Sequence, residues 1–93
     1  MAKAVKKLKK HAYTFVWPIG FNATEVSLAG DFNNWVPKPL TRKADGFTAT
    51  IELAPGEYQY KFIVDGLWMN DPVAAVSVPN SFGSFNNVVE VGG

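Results

Sequence analysis

The chain has 93 residues, of which 47% are apolar, 18% charged and 14% aromatic, with no cysteine and a single histidine. This is one small globular domain, without disulfides, a thiolate metal site or a cysteine nucleophile. The net charge of +1 is a split: Lys3, Lys6, Lys7, Lys9 and Lys10 carry +5, while four basic groups face eight acids elsewhere, a net −4. Residues 1–11 therefore read as a basic, flexible arm and residues 12–93 as the folded unit. The arm lacks the apolar stretch of a secretory signal, and no apolar run is long enough for a transmembrane helix. The expected location is cytoplasmic, with no membrane partner.

From residue 12 the pattern alternates with period two, the mark of half-buried strands. Tyr13, Phe15 and Trp17 share one face, and Pro18-Ile-Gly20 closes that strand. Val26 and Leu28 flank Ser27 in a second strand that ends at Gly30-Asp31, followed by a loop over 31–40 with Pro37 and Pro39. Asp45-Gly46 opens a third strand through Phe47, Ala49, Ile51 and Leu53, and Ala54-Pro55-Gly56-Glu57 is a tight turn to the fourth. There Tyr58, Tyr60, Phe62 and Val64 alternate with Gln59, Lys61 and Ile63. Asp65-Gly66 is a hairpin signal leading to a short strand around Leu67–Met69. A long loop over 70–86 precedes the last strand, about Asn87–Val91. Six or seven short strands with no helix predict an all-β, immunoglobulin-like β-sandwich.

Two loops carry the candidate chemistry. Trp35 follows Gly30-Asp-Phe-Asn-Asn34 in a polar loop, and Trp68 sits just past the hairpin turn. An exposed indole offers a flat apolar face with one N–H at its edge. Two of them near one end of a sandwich make a platform for a flat ligand, a sugar ring or a nucleobase. Lys61, Ser84 and Asn86 supply hydrogen-bonding groups for a sugar's rim. A nucleic acid would need a cationic groove as well, so the acidic body disfavours it. Trp17, in strand alternation, reads as core. Catalysis is poorly provided for: glycoside cleavage needs two carboxylates across a bond. Asp31 and Asp65 read instead as local turn formers making Asx hydrogen bonds. No cofactor and no metal are implied.

The segments Val26-Ser-Leu-Ala-Gly-Asp-Phe-Asn-Asn-Trp35, Pro39-Leu-Thr41, Pro55-Gly-Glu-Tyr-Gln-Tyr-Lys-Phe-Ile-Val-Asp-Gly-Leu-Trp68, Asn70-Asp-Pro72 and Phe82-Gly-Ser-Phe-Asn-Asn87 fall in one order across residues 12–92. Together they resemble the glycogen-recognition domain, carbohydrate-binding module family 48 or isoamylase early set, found in kinase β subunits and in glucan-processing enzymes. The resemblance implies an early-set immunoglobulin-like sandwich that binds α-1,4-linked glucan without catalysis. It further implies Trp35, Lys61, Trp68, Phe82, Ser84 and Asn86 as the carbohydrate-binding residues. Phe82 stands where the kinase-subunit version has leucine, and Ser84 where it has threonine. A kinase subunit or a catalytic domain is the implied protein partner. The alternative is a protein-interaction or regulatory module that keeps the fold and has lost the sugar.

Overall fold

The structure, a computed structural model, describes residues 10–74 and 76–92. The expected basic arm lies outside these residues except for Lys10 and His11. Nine strands follow in order: β1 (His11–Pro18), β2 (Val26–Gly30), β3 (Lys38–Pro39), β4 (Thr41–Lys43), β5 (Gly46–Leu53), β6 (Gly56–Val64), β7 (Leu67–Met69), β8 (Ser77–Pro79) and β9 (Phe85–Val91). Among the described residues a single 3-10 turn, Asp31–Asn33, interrupts them. One antiparallel sheet has the order β1-β5-β4; the other has β3-β2-β6-β9-β8, with β7 also paired to β6. The chain is thus an all-β sandwich of the immunoglobulin-like kind.

Period-two alternation dictates which residues meet between the sheets. Trp17 stands opposite Phe47 in the β1–β5 ladder and Phe15 opposite Ala49. Their partners across the sandwich are Tyr60 and Phe62 of β6. Phe62 and Leu28 are wholly buried, and the rings of Trp17 and Phe62 meet edge to face at 5.4 Å. Each such side chain contributes about 1.5–3 kcal/mol by leaving water. Trp17 is core, as its alternation implied, and its Nε1 donates to the Phe21 carbonyl at 2.7 Å. Gly46 enters β5 at φ 133°, where a Cβ would collide with the Trp17 carbonyl, so only glycine fits.

The elements differ from the sequence expectation in two places. Short β3, β4 and β8 lie in or beside segments read as loop. They are mostly exposed, so no alternation marks them. The turn at Ala54-Pro55 links the two strands as expected, and it carries the chain from β5 in one sheet to β6 in the other. The Tyr58 hydroxyl braces it by donating to the Ala54 carbonyl at 2.6 Å. The aspartates Asp31 and Asp65 do not make the local Asx bonds expected of them. Asp65 accepts from the backbone of Thr24 and Glu25 at 3.0 and 2.8 Å, tying the β6–β7 hairpin to the entry of β2. Asp31 likewise reaches a residue far along the chain, described below.

β6 is flanked on one side by β2 and on the other by two strands in succession. Residues 56–60 pair with β9, and 62–64 pair with β7. Asn87, buried between them, joins the two segments: its Oδ1 accepts from Asp71 N at 2.7 Å and from Asn70 Nδ2 at 3.3 Å. Asp71 in turn accepts the Tyr60 hydroxyl at 2.7 Å. Burial, and then this carboxylate, push the Tyr60 phenol above its ordinary 10.0. This weld fixes where β7 stands and therefore where Trp68 points.

Candidate functional site

The site grows from the outer face of β6. Gln59, Lys61 and Ile63 alternate to that face, with Ala29 beside Lys61 and Trp68 beside Ile63 in the neighbouring strands. A residue on such a face is ordinarily solvated, yet Lys61 is only 7% exposed and Ala29 is fully covered. The covering comes from two walls, the Trp35 turn and the 80–86 loop. The Lys61 ammonium donates to Ser84 Oγ at 3.1 Å. An ammonium has three N–H groups, so two remain for a ligand.

The Trp35 wall follows from its local sequence. Gly30 lies so close to the Gln59 carbonyl, 2.6 Å from where a Cβ would sit, that a larger residue must displace the strand. Asn33 closes the 3-10 turn by accepting from Gly30 N at 3.0 Å and donating to the Leu28 carbonyl at 3.2 Å. Phe32 pins the turn from beneath by packing on Phe15, ring centres 5.1 Å apart. Asn34 and Trp35 then both adopt left-handed backbone, φ 56° and 60°. Asparagine tolerates this and tryptophan rarely does. The reversal closes with Trp35 N donating to the Gly30 carbonyl at 2.9 Å. Trp35 ends half-buried, its Nε1 donating to Asp31 Oδ1 at 3.1 Å, while Asp31 Oδ2 accepts from Gln59 N at 2.7 Å.

Asn80 organises the opposite wall. Its Oδ1 accepts from the backbone of Phe82 and Ser84 at 2.9 and 3.1 Å, and its Nδ2 donates to Asn86 Oδ1 at 3.0 Å. Asn86 Nδ2 passes the chain on to Gln59 Oε1 at 3.0 Å. Phe82 projects from this loop 90% exposed, and Trp68 stands 51% exposed on β7. Among the described residues His11 Nε2 is the only buried side-chain polar atom without a hydrogen bond, so the polar groups buried in the cleft are all partnered.

Between the walls lies a cleft of about 850 Å³. All six residues singled out in the sequence, Trp35, Lys61, Trp68, Phe82, Ser84 and Asn86, line it. The sequence reading missed Asp31, Gln59 and Asn80, which line it too. Gln59 carried a usable signal, since it shares the outer face of β6 with Lys61 two residues on. Asp31 and Asn80 carried none, because their partners are set by the folded loops. Asn86 has both amide ends engaged within the protein, so it offers a ligand only its second N–H and second lone pair.

Comparison with known proteins settles the family. Residues 11–93 match the family model described as the glycogen recognition site of AMP-activated protein kinase. This chain belongs to that family. Among curated relatives, it is 47% identical over 77 residues to the 5'-AMP-activated protein kinase subunit beta-1 of Sus scrofa, covering 83% of this chain and 61% of the relative. The Homo sapiens beta-1 subunit is 46% identical over the same share of this chain, which spans 27% of that protein. The Mus musculus beta-2 subunit is 46% identical over 72% of this chain and 25% of its own length. The chain therefore spans less than two thirds of each of these kinase-subunit relatives. Among the described residues no helix is long and apolar enough to cross a membrane.

Proposed function

We propose that the chain binds α-1,4-linked glucan, such as glycogen, starch or maltooligosaccharides, in this cleft and does no chemistry on it. The observation that carries the reading is the buried Lys61 ammonium with spare N–H groups, set between two indoles, in a glycogen-recognition chain. Trp35 and Trp68 stack on the apolar faces of successive glucose rings, and Lys61, Ser84 and Asn86 bond the hydroxyls at their rims. Phe82 covers the sugar from the loop. Among the described residues Asp31 is the one acid lining the cleft, and both its oxygens already accept hydrogen bonds, which supports binding over glycoside cleavage. The relatives are named as kinase subunits, and by that likeness the chain is read as a module that brings a partner chain to glucan in the cytoplasm.

A single site of two stacking rings and a few hydrogen bonds gives a dissociation constant on the order of 10 μM to 1 mM, about 4–7 kcal/mol. Calorimetric titration with maltoheptaose and β-cyclodextrin, against cellohexaose, tests this. The expected result is saturable binding of the first two alone. Removing residues 2–10 leaves that binding intact if the cleft carries it. Silence at millimolar glucan, or binding that vanishes with the arm and falls steeply with salt, overturns the reading in favour of an interaction module.

A further inference from the structure

Trp35 presents a problem that its own backbone does not solve. It is half-buried at the rim of the cleft, in a left-handed conformation. Nothing in the aromatic packing fixes its ring: among the described residues Trp17 meets Phe21 and Phe62 edge to face, whereas Trp35 has no aromatic neighbour. Its indole edge is held by one atom, Asp31 Oδ1, at 3.1 Å.

We infer that Asp31 is a positioning residue for the glucan site, clamping the Trp35 ring in its stacking orientation; the inference rests on the function proposed above. The chemistry requires a carboxylate. Both partners of Asp31 are donors, the Trp35 indole N–H and the Gln59 backbone N–H. A carboxylate accepts from both at once, and bonds to a charged acceptor are the stronger kind. A carboxamide of the same shape accepts from one and turns its own N–H₂ toward the other. The fold also brings the clamp to the right depth: the bare Cα of Gly30 lets Asp31 settle against Gln59. Gln59 is itself bonded to Asn86 in the opposite wall, at 3.0 Å. The ring is therefore referenced to the floor of the cleft, and the cleft is preorganised for its ligand.

The test is a double-mutant cycle with a spectroscopic readout. Asp31→Asn is near-isosteric, and Trp35→Phe keeps an aromatic face while deleting the indole N–H. In the wild type, Asp31→Asn should weaken maltoheptaose binding about tenfold, the size of one charge-assisted bond. In the Trp35→Phe background the same substitution should change affinity less than about twofold. The Trp35 indole proton, followed by nitrogen-edited NMR of the whole chain, should exchange with water more slowly than that of Trp68. Asp31→Asn should raise its rate to the Trp68 level. A purely structural Asp31 predicts equal losses in both backgrounds and an unmoved exchange rate, and either result overturns the clamp. If the wild type binds no glucan, the proposed function falls on its own. The exchange rate then decides the clamp: a rise upholds it and no change overturns it.

Discussion

Trp17 and Trp35 are a controlled comparison within one molecule. Each indole donates its N–H to a partner four residues away, Trp17 to the Phe21 carbonyl and Trp35 to the Asp31 carboxylate. The difference is in what meets the ring. Trp17 faces inward and is 3% exposed, its face and edges taken up by Phe62 and its neighbours. Trp35 lines the cleft, its edge secured by Asp31 and its ring without an aromatic neighbour among the described residues. A satisfied polar edge is thus common to a structural and a binding tryptophan. Aromatic packing tells them apart, and Trp68, also lining the cleft without an aromatic neighbour among the described residues, falls with Trp35.

The sharpest way to break the comparison is stability. Trp17→Ala should lower the unfolding free energy by about 3–5 kcal/mol, measured in urea, because it opens a cavity the sandwich cannot close. Trp35→Ala and Trp68→Ala should cost less than about 1 kcal/mol there. In glucan titrations the order inverts. Either cleft tryptophan should lose about 1–3 kcal/mol of binding, by analogy with bases stacked on aromatic side chains. Comparable unfolding losses for Trp17→Ala and Trp35→Ala would erase the distinction.

Lys61→Met sharpens the same contrast on the floor of the cleft. The expected loss is about 1–2 kcal/mol of glucan affinity. Unfolding should be unchanged or harder, since a buried ammonium with a neutral partner gives way to an apolar chain of similar length. The smallest effect belongs to the core side of β6. The Tyr60 phenol is raised in the folded protein, so the unfolded chain loses its proton first. Stability is held below about pH 10 and falls as pH rises beyond it. Tyr60→Phe should flatten that alkaline decline, cost about 1 kcal/mol at neutral pH, and leave glucan affinity unchanged. Urea titrations at several pH values check it.

The inner half of this structure was legible in the sequence because a buried face writes its own period. Tyr13-Phe15-Trp17 and Tyr60-Phe62-Val64 announce which way they point before any partner is known. The two positive-φ residues of the β6–β7 turn were equally plain in Asp65-Gly66. The outer half was legible only in part. Lys61 looks like any strand residue facing water, because its burial comes from loops that alternation does not describe. β3, β4 and β8 are two or three residues long and leave no periodic trace. Asp31 and Asp65 sit at turns, and the rule that gives turn aspartates local backbone partners failed for both, although Asp31 keeps one local side-chain partner in Trp35. Their acceptors were claimed by backbone N–H groups 28 and about 40 residues away in sequence, contacts that exist only after the sheets have formed.

The flank of β6 shared by β7 and β9 has a consequence for engineering. At the base of the excursion between Asp71 and Asn87, the Asn87 carboxamide holds Asp71 N and Asn70 Nδ2, and within the excursion β8 stays paired to β9. Pro72 and Val73, just past Asp71, are exposed. The base of the excursion is therefore anchored independently of its length. Lengthening the chain at Pro72–Val73, or opening it there to create new termini, disturbs neither the hairpin that carries Trp68 nor the strand that follows Asn86. The domain offers at that point a socket where a reporter or a second binding unit can be spliced without touching the residues that line the cleft.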